Sequence, residues 1–319
     1  MREPGFWRRD GPAARLLQPL ASLYALAARH RAAAIVPERL AVPVVGVGGV
    51  TVGGSGKTPV ARAVAGLLRE AGCCPHVVLR GYGGRLGGPV RVDAARHDAA
   101  MVGDEALLHA ADGPAWVARR RAAGARAALA AGADCIVLDD ALQHPGLAPA
   151  LTLLVVDGRD GIGNGRTLPA GPLRESWHDA LAKVDAVVLL GEDEAGMARR
   201  CGGTPVLRAS IEPRGDVRGL EGSRLLAFAG IAGPGRFRRS LERLGAEVVR
   251  LVAFADHHAF RERELARLDA AARRQGLALV TTAKDAMRLP QHWRARVRVL
   301  EIAVVWHDPL SIRRLLRVS

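Results

Sequence analysis

The chain carries Thr51-Val52-Gly53-Gly54-Ser55-Gly56-Lys57-Thr58-Pro59, a glycine-rich turn closed by Gly-Lys-Thr. In such a turn, successive backbone N–H groups curl around an anion, the lysine reaches the β- and γ-phosphates of a nucleotide, and the threonine hydroxyl ligates Mg²⁺. Residues 51 to 58 are therefore expected to bind a nucleoside triphosphate, with Thr58 on the metal. Strict spacing asks for glycine at position 51, so the loop is a variant. Ile136-Val137-Leu138-Asp139-Asp140 reads as an apolar strand ending in carboxylates, the form that positions Mg²⁺ directly or through water. If the strand continues, Asp139 and Asp140 point to opposite faces and one of them meets the metal. Phosphoryl transfer also needs a carboxylate or histidine within reach of the attacking hydroxyl. Asp104, in Gly103-Asp104-Glu105, qualifies, although aspartate at a helix start serves equally as a cap. Asp256-His257-His258 reads either as an imidazole sharing a proton with a carboxylate or as a solvated loop pair. Gln143 and His144 extend the acidic strand end. Arg159, Arg166 and Arg174, in the glycine-rich stretch 157 to 175, can hold phosphates bidentately.

These residues must be positioned by regular elements. Residues 42 to 50 contain Val42, Val44, Val45, Val47 and Val50 with few polar atoms, as in a strand buried on both faces of a parallel sheet. From Lys57, Val60, Ala63, Val64, Leu67 and Leu68 recur at helical spacing, with Pro59 tolerated in the first turn and a stop near Gly72. Strands are expected at 76–80, 134–140, 151–156 and 184–190, and helices at 103–111 and 119–131. The alternation predicts a doubly wound, mostly parallel, P-loop NTPase-like α/β sheet with ligands at the carboxyl ends of its strands. Residues 191 to 223 form a polar interval around one short β segment, 205–211. A boundary there would separate a core, 36–215, from a smaller C-terminal α/β domain, 216–319. That domain has strands at 225–229, 247–252, 278–281 and 297–305, and helices from about 235 and 261. Residues 16 to 28 form an uncharged run holding Leu16, Leu17, Leu20, Leu23, Tyr24 and Leu26, shorter than the ~20 residues that span a bilayer. Arginines flank it and Trp7 is near, so residues 1–35 suit an amphipathic helical region lying in a membrane interface or packed on the domain.

With 319 residues the chain can build two domains and a sizeable core. A formal charge of +14 suits an anionic partner: nucleic acid, an acidic membrane surface or a phosphorylated substrate. Lys57, Lys183 and Lys284 are the only lysines among 46 basic residues, so arginine excess reflects coding bias as much as binding. Aromatic residues make up 4% and are scattered, which argues against a base-stacking nucleic-acid surface. Cys73, Cys74, Cys135 and Cys201 lack metal-ligand spacing and read as reduced, mostly buried thiols. The N-terminus has no signal-peptide pattern.

Read in order, Thr51 to Pro59, Arg80-Gly81-Tyr82-Gly83-Gly84, Gly103-Asp104-Glu105, Asp139-Asp140-Ala141-Leu142-Gln143-His144, the run from Gly163 to Glu175, Phe228-Ala229-Gly230-Ile231-Ala232, Asp256-His257-His258 and Thr281-Thr282-Ala283-Lys284-Asp285 resemble the tetraacyldisaccharide 4′-kinase family of lipid A biosynthesis. In that family Thr or Ser stands where Thr51 does. The third place of the Asp-Asp block is usually Gly, where this chain has Ala141; a Cβ there matters only if φ is positive. The resemblance implies ATP and Mg²⁺ as reactants, and the 4′-hydroxyl of a tetraacylated glucosamine disaccharide 1-phosphate as acceptor. It places the enzyme peripherally at the cytoplasmic face of the bacterial inner membrane, with no nucleic acid and no obligate protein partner. It implies Lys57 and Thr58 on phosphate and metal, Asp139 and Asp140 as the metal pair, Asp104 as the base and His257 as its partner. Gln143, His144, Arg174 and Glu175 match family positions that support the substrate. The main alternative is a P-loop nucleotide switch or partitioning ATPase acting through partner proteins; a soluble sugar or nucleoside kinase is a second.

Overall fold

The alternating pattern assembles into one sheet. The computed structural model describes residues 4–215 and 217–318. The first three residues of the expected N-terminal region, Ser319, and Asp216 at the expected boundary lie outside the described residues. Among the described residues the strands are β1 Val44–Gly48, β2 Pro75–Leu79, β3 Val90–Arg91, β4 Ala115–Val117, β5 Cys135–Asp139, β6 Leu151–Asp157, β7 Ala186–Leu190, β8 Val206–Arg214, β9 Arg224–Ala229, β10 Glu247–Ala253, β11 Ala278–Thr282 and β12 Arg298–Trp306. They lie in the order β10-β9-β11-β12-β8-β7-β6-β1-β5-β2-β4-β3. Only the pairs β3–β4 and β8–β12 are antiparallel, so the α/β, mostly parallel reading holds. Every residue of β1, β2, β5 and β7 is buried, which is why these strands read as unbroken apolar runs.

The order of strands dictates where ligands go. β1 lies between β5 and β6; the chain leaves it toward β2 on one side and, after β5, crosses to β6 on the other. Such a reversal opens a crevice at the carboxyl ends of the strands. β9 repeats the pattern, standing between β10 and β11. β12 joins the two sets: Leu300 pairs with Thr282 at the end of β11, and the next residue, Glu301, pairs with Arg214 at the end of β8. Because β12 runs parallel to β11 and antiparallel to β8, the carboxyl ends of the two parallel sets meet, and their crevices open into one space.

The sets have separate cores. Val45, Val47, Val60 and Val64 pack with Trp306 and Ile312 beneath helix Lys57–Glu70, whereas Phe228, Leu265, Leu279 and Trp293 form the center of the later set. β3 and β4, two and three residues long, are too short to leave a periodic signal, and the helix Pro309–Leu316 was not foreseen. β8 runs on to Arg214, past the expected end of its segment, and joins the main sheet.

The N-terminal run forms two helices, Pro12–Leu16 and Gln18–Ala33. Ala14 and Ala21 are fully buried, and the Ala21 carbonyl accepts a 3.3 Å hydrogen bond from Thr167 Oγ1. Leu16, Leu20, Leu23 and Leu26 are each more than half exposed. Packing on the fold by small residues thus coexists with an outward leucine stripe. No helix among the described residues is long and apolar enough to cross a membrane.

Candidate active site

The wall built on β1 holds the glycine-rich loop. Gly56 has φ 89°, and a Cβ there would fall 2.3 Å from Leu190 Cδ1, so only glycine fits. It precedes helix Lys57–Glu70, whose N-terminus opens on the cavity. Ser55 Oγ is buried without a hydrogen-bond partner, an open polar atom of the kind that marks a ligand site. Thr51 forms an extended bridge with Leu173, and the Val52 N–H donates to the Pro172 carbonyl at 2.8 Å. A residue with a side chain is therefore at no disadvantage at position 51.

β5 ends at Asp139, and Asp140 takes the left-handed φ of 62°, uncommon outside glycine. The strand stops between the two aspartates, so alternation does not separate them and both line the cavity. Asp139 Oδ2 lies 2.8 Å from His109 Nε2. Asp140 faces Lys57 at 3.6 Å and Arg174 at 3.0 Å. Burial pushes the Asp140 carboxyl up, but the charges of Lys57 and Arg174 more than offset it and hold it below the usual carboxylate value. Ala141 is not among the positive-φ residues, and its Cβ is accommodated. Arg174 also donates to Gln143 Oε1 at 3.1 Å, while Gln143 Nε2 donates to the Gly49 carbonyl at 3.0 Å and to Glu175 at 3.2 Å. Glu175 pairs in turn with Lys183. Gln143, Arg174 and Glu175 thus brace Asp140 and the loop. His144 lines the cavity; burial and the nearby Arg121 push its imidazole down to about 4. Thr58, Asp139 and Asp140 offer hard oxygen donors, a set that suits Mg²⁺.

The opposite wall comes from segments far apart in sequence. Helix Asp104–Asp112 starts with Asp104, whose Oδ1 accepts the Glu105 N–H at 2.8 Å and whose Oδ2 lies 3.1 Å from His257 Nδ1. The Asp104 side chain is 1% exposed and His257 20% exposed, and of the two only His257 lines the cavity. His257 has φ 57°, and the Tyr82 ring stands 4.9 Å from its imidazole. His258 turns away to Glu264, at 2.9 Å, and stacks on Phe254. Burial pushes the Asp104 carboxyl up, yet the His257 hydrogen bond and the charges of Lys284, His257 and Arg288 outweigh it and hold the carboxyl below its usual value. Lys284 Nζ lies 2.9 Å from Glu105 Oε1 and 3.4 Å from His257 Nε2. Ligand atoms of Asp104, Glu105 and His257 fall within 4.8 Å of one another, and the Lys284 ammonium already supplies that cluster with a cation.

Both walls face one cavity of about 1810 Å³, beyond the roughly 300–1,000 Å³ of a pocket for one small molecule. Arg236, from helix Pro234–Arg243, crosses it: NH1 lies 2.5 Å from Asp157 Oδ2, and NH2 donates to the Gly54 carbonyl at 2.8 Å. Two readings need correction. Arg166 is spent on Asp10, at 2.9 Å, and does not face the cavity; Cys74 is exposed, whereas Cys135 and Cys201 are buried and Cys73 half-buried. Sequence reasoning passed over His109, Arg121, Arg236, Lys284 and Arg288. The arginines gave no signal in so arginine-rich a chain. Lysine did, since two of the three lysines, Lys57 and Lys284, line the cavity and the third, Lys183, pairs with Glu175 behind it.

The model of the tetraacyldisaccharide-1-P 4′-kinase family, LpxK, matches residues 13–318. A tetraacyldisaccharide 4′-kinase of Rhodospirillum centenum is 51% identical, covering 99% of this chain and 96% of its own length. Another, of Rhodospirillum rubrum, is 47% identical, covering 99% and 97%. Among solved structures, LpxK from Aquifex aeolicus in complex with ATP is similar with a TM-score of 0.77 at 26% identity, covering 95% of this chain and 98% of that one.

Proposed function

The chain belongs to the tetraacyldisaccharide 4′-kinase family, ATP-binding kinases of lipid A biosynthesis, and from that premise we propose that it transfers the γ-phosphoryl of ATP to the 4′-hydroxyl of a tetraacylated glucosamine disaccharide 1-phosphate. The supporting observation is the placement of His257, backed by Asp104, in the same cavity as Lys57 and the glycine-rich loop. Asp104 is the expected base; because it lies buried behind the imidazole and His257 lines the cavity, we read His257 as the group that meets the hydroxyl and Asp104 as its partner. Asp104 holds the Nδ1–H of His257, so that Nε2, which has the Lys284 ammonium 3.4 Å away on the same cavity wall, is the proton acceptor once the acceptor hydroxyl takes the place of that weak contact. As the acceptor oxygen bonds to phosphorus, its proton passes to Nε2 and the bond from phosphorus to the ADP oxygen breaks.

Backbone N–H groups of the loop from Gly53 to Thr58, beyond the Val52 N–H spent on Pro172, and the Lys57 ammonium hold the nucleotide phosphates. Thr58, Asp139 and Asp140 would hold Mg²⁺, whose charge would offset that of the phosphate oxygens. Gln143, His144, Arg174 and Glu175 support the acceptor side of the loop.

Residues 1–35 lie in the interface at the cytoplasmic face of the inner membrane, presenting the leucine stripe to acyl chains. Trp7, Arg8 and Tyr24 line the same cavity as Lys57, which offers the lipid head group an entry from that side. Residues 36–215 form the nucleotide lobe and 216–319 the smaller lobe that closes over it, with β12 and the final helix returning to the first core.

Label transfer from [γ-³²P]ATP in mixed micelles tests the reading. Label is expected on the acylated disaccharide, and far less on the deacylated sugar. Hydrolysis without transfer would overturn the reaction, and equal use of the deacylated sugar would overturn the lipid acceptor.

A further inference from the structure

The segment after β11 has no part in the reaction just described, yet it is tied to both members of the proton-handling pair. Thr282 Oγ1 donates to Asp285 Oδ2 at 2.6 Å, and fully buried Asp285 accepts the Gly230 N–H at 2.9 Å. Three residues on, the Arg288 side chain is 6% exposed. Its NH1 donates to the His258 carbonyl at 2.9 Å, and its NH2 to the Gly230 carbonyl at 2.8 Å and to Asp285 Oδ1 at 2.5 Å. Its Nε stands 3.1 Å from Asp104 Oδ2 without hydrogen-bond alignment.

Two of these acceptors frame His257. The His258 carbonyl is the next peptide group, and the Gly230 carbonyl also accepts the His257 N–H at 3.1 Å. His257 keeps its left-handed φ of 57°, a conformation that a residue with a Cβ holds only where its surroundings over-determine it. The remaining contact reaches the carboxylate behind the imidazole.

We propose that Arg288 is a positioning residue for phosphoryl transfer: one buried guanidinium fixes the backbone that aims His257 and keeps Asp104 ionized behind it. This rests on the reading of Asp104 and His257 as the proton-handling pair. A planar fork is needed because three acceptors must be spanned at once; an ammonium supplies the charge without the span. The charged groups facing Asp104 are His257 from the loop after β10, Lys284, Asp285 and Arg288 from the segment after β11, and Glu105 on its own helix. Burial alone favors the protonated carboxyl, and the cations oppose it. Without Arg288 the Asp104–His257 pair loses a facing cation and, titrating as one unit, takes up its proton at higher pH, so activity is lost sooner as pH falls.

The test uses the full chain with Arg288→Met and Arg288→Lys, measuring kcat across pH, the Kd for ADP, and thermal melting. Arg288→Met is expected to lower kcat about 100-fold and leave the ADP Kd within about twofold, since the nucleotide sits on the other wall. The acid limb of its kcat profile should move up by about one pH unit or more. Arg288→Lys should keep the limb near that of the parent while recovering only part of kcat. A fall in kcat with the limb unmoved in Arg288→Met, an equal loss of ADP affinity, or full recovery by lysine overturns the proposal. If the methionine variant does not fold, the lysine variant decides: lowered kcat with an unmoved limb supports it and parental kcat sinks it. Asp104→Ala separates the two levels. Parental turnover there overturns the pair itself, whereas an inactive Asp104→Ala beside a parental Arg288→Met overturns only this inference.

Discussion

On the wall built around β1, the phosphate-binding groups come from one short stretch, residues 51 to 58, shaped by glycine geometry and a helix start. On the opposite wall, Asp104, from a helix packed on β4 of the first set, and His257, from the loop after β10, are brought together across a separation of 153 residues, and they are held by groups from the segment after β11. The topological rule places the loop after β1 and His257 after β10 at strand carboxyl ends, whereas Asp104 comes to His257 from the start of a helix of the first set. The contrast shows what each can lose. Nucleotide binding depends on local backbone shape, whereas proton transfer depends on the docking of distant segments, so damage on one wall should be separable from damage on the other.

The largest expected effect sharpens that division. Lys57→Ala should cost about 10³-fold or more in kcat/KM together with ATP affinity, whereas His257→Ala should cost about 10²–10⁴-fold in kcat with ATP affinity kept. Equilibrium binding beside steady-state kinetics checks it, and equal loss of ATP binding in both variants would erase the distinction between walls. Arg236, the residue that crosses the cavity to Gly54, should behave as a hybrid. Its Arg236→Ala variant is expected to raise the KM for ATP roughly tenfold, the ~1–3 kcal/mol of a charge-assisted contact; an unchanged KM would leave the walls uncoupled at that point. The double variant Leu20→Glu/Leu23→Glu should reduce binding to anionic vesicles and raise the KM for lipid several-fold, with the KM for ATP unmoved. Parental vesicle binding would remove the leucine stripe from the acceptor side.

The smallest effect concerns stability. His144 is held neutral down to about 4 in the fold against about 6.5 unfolded. Between those values the unfolded chain binds the proton and the native one does not, so stability falls as pH drops from about 6.5 toward 4. Urea unfolding at pH 7 and pH 5 should show the parent losing about 1–2 kcal/mol more than His144→Gln. Equal losses would mean that the site around Asp140 tolerates a charged imidazole.

The glycine loop, β1 and the helix from Lys57 were legible because their signals are local: valine runs, turn glycines and a 3.6-residue repeat. The geometry at Asp140 was not, because a single left-handed residue ends the alternation that the two aspartates suggest. His109, buried against Asp139, is one histidine within an amphipathic pattern, and nothing in its neighborhood announces a partner 30 residues away. Asp104 shows the limit most clearly. A capping aspartate and a proton-handling one read identically until the fold supplies His257; in the fold Gly103 is the N-cap, and Asp104, at the first helical position, accepts the adjacent Glu105 N–H and meets His257.

β12 has a consequence for how the chain is made. It supplies the pairing for β8 only after residues 215–297 have been synthesized, and Trp306 and Ile312 fill the core beneath the helix that starts at Lys57. Pairings of such sequence separation form late, because the intervening chain must first be ordered. A nascent chain on the ribosome therefore lacks the underside of its own nucleotide site until residues 306 to 312 have emerged. Removing the chain from β12 onward should then act as a lesion of the first core, leaving the glycine loop present in sequence and unsupported in space.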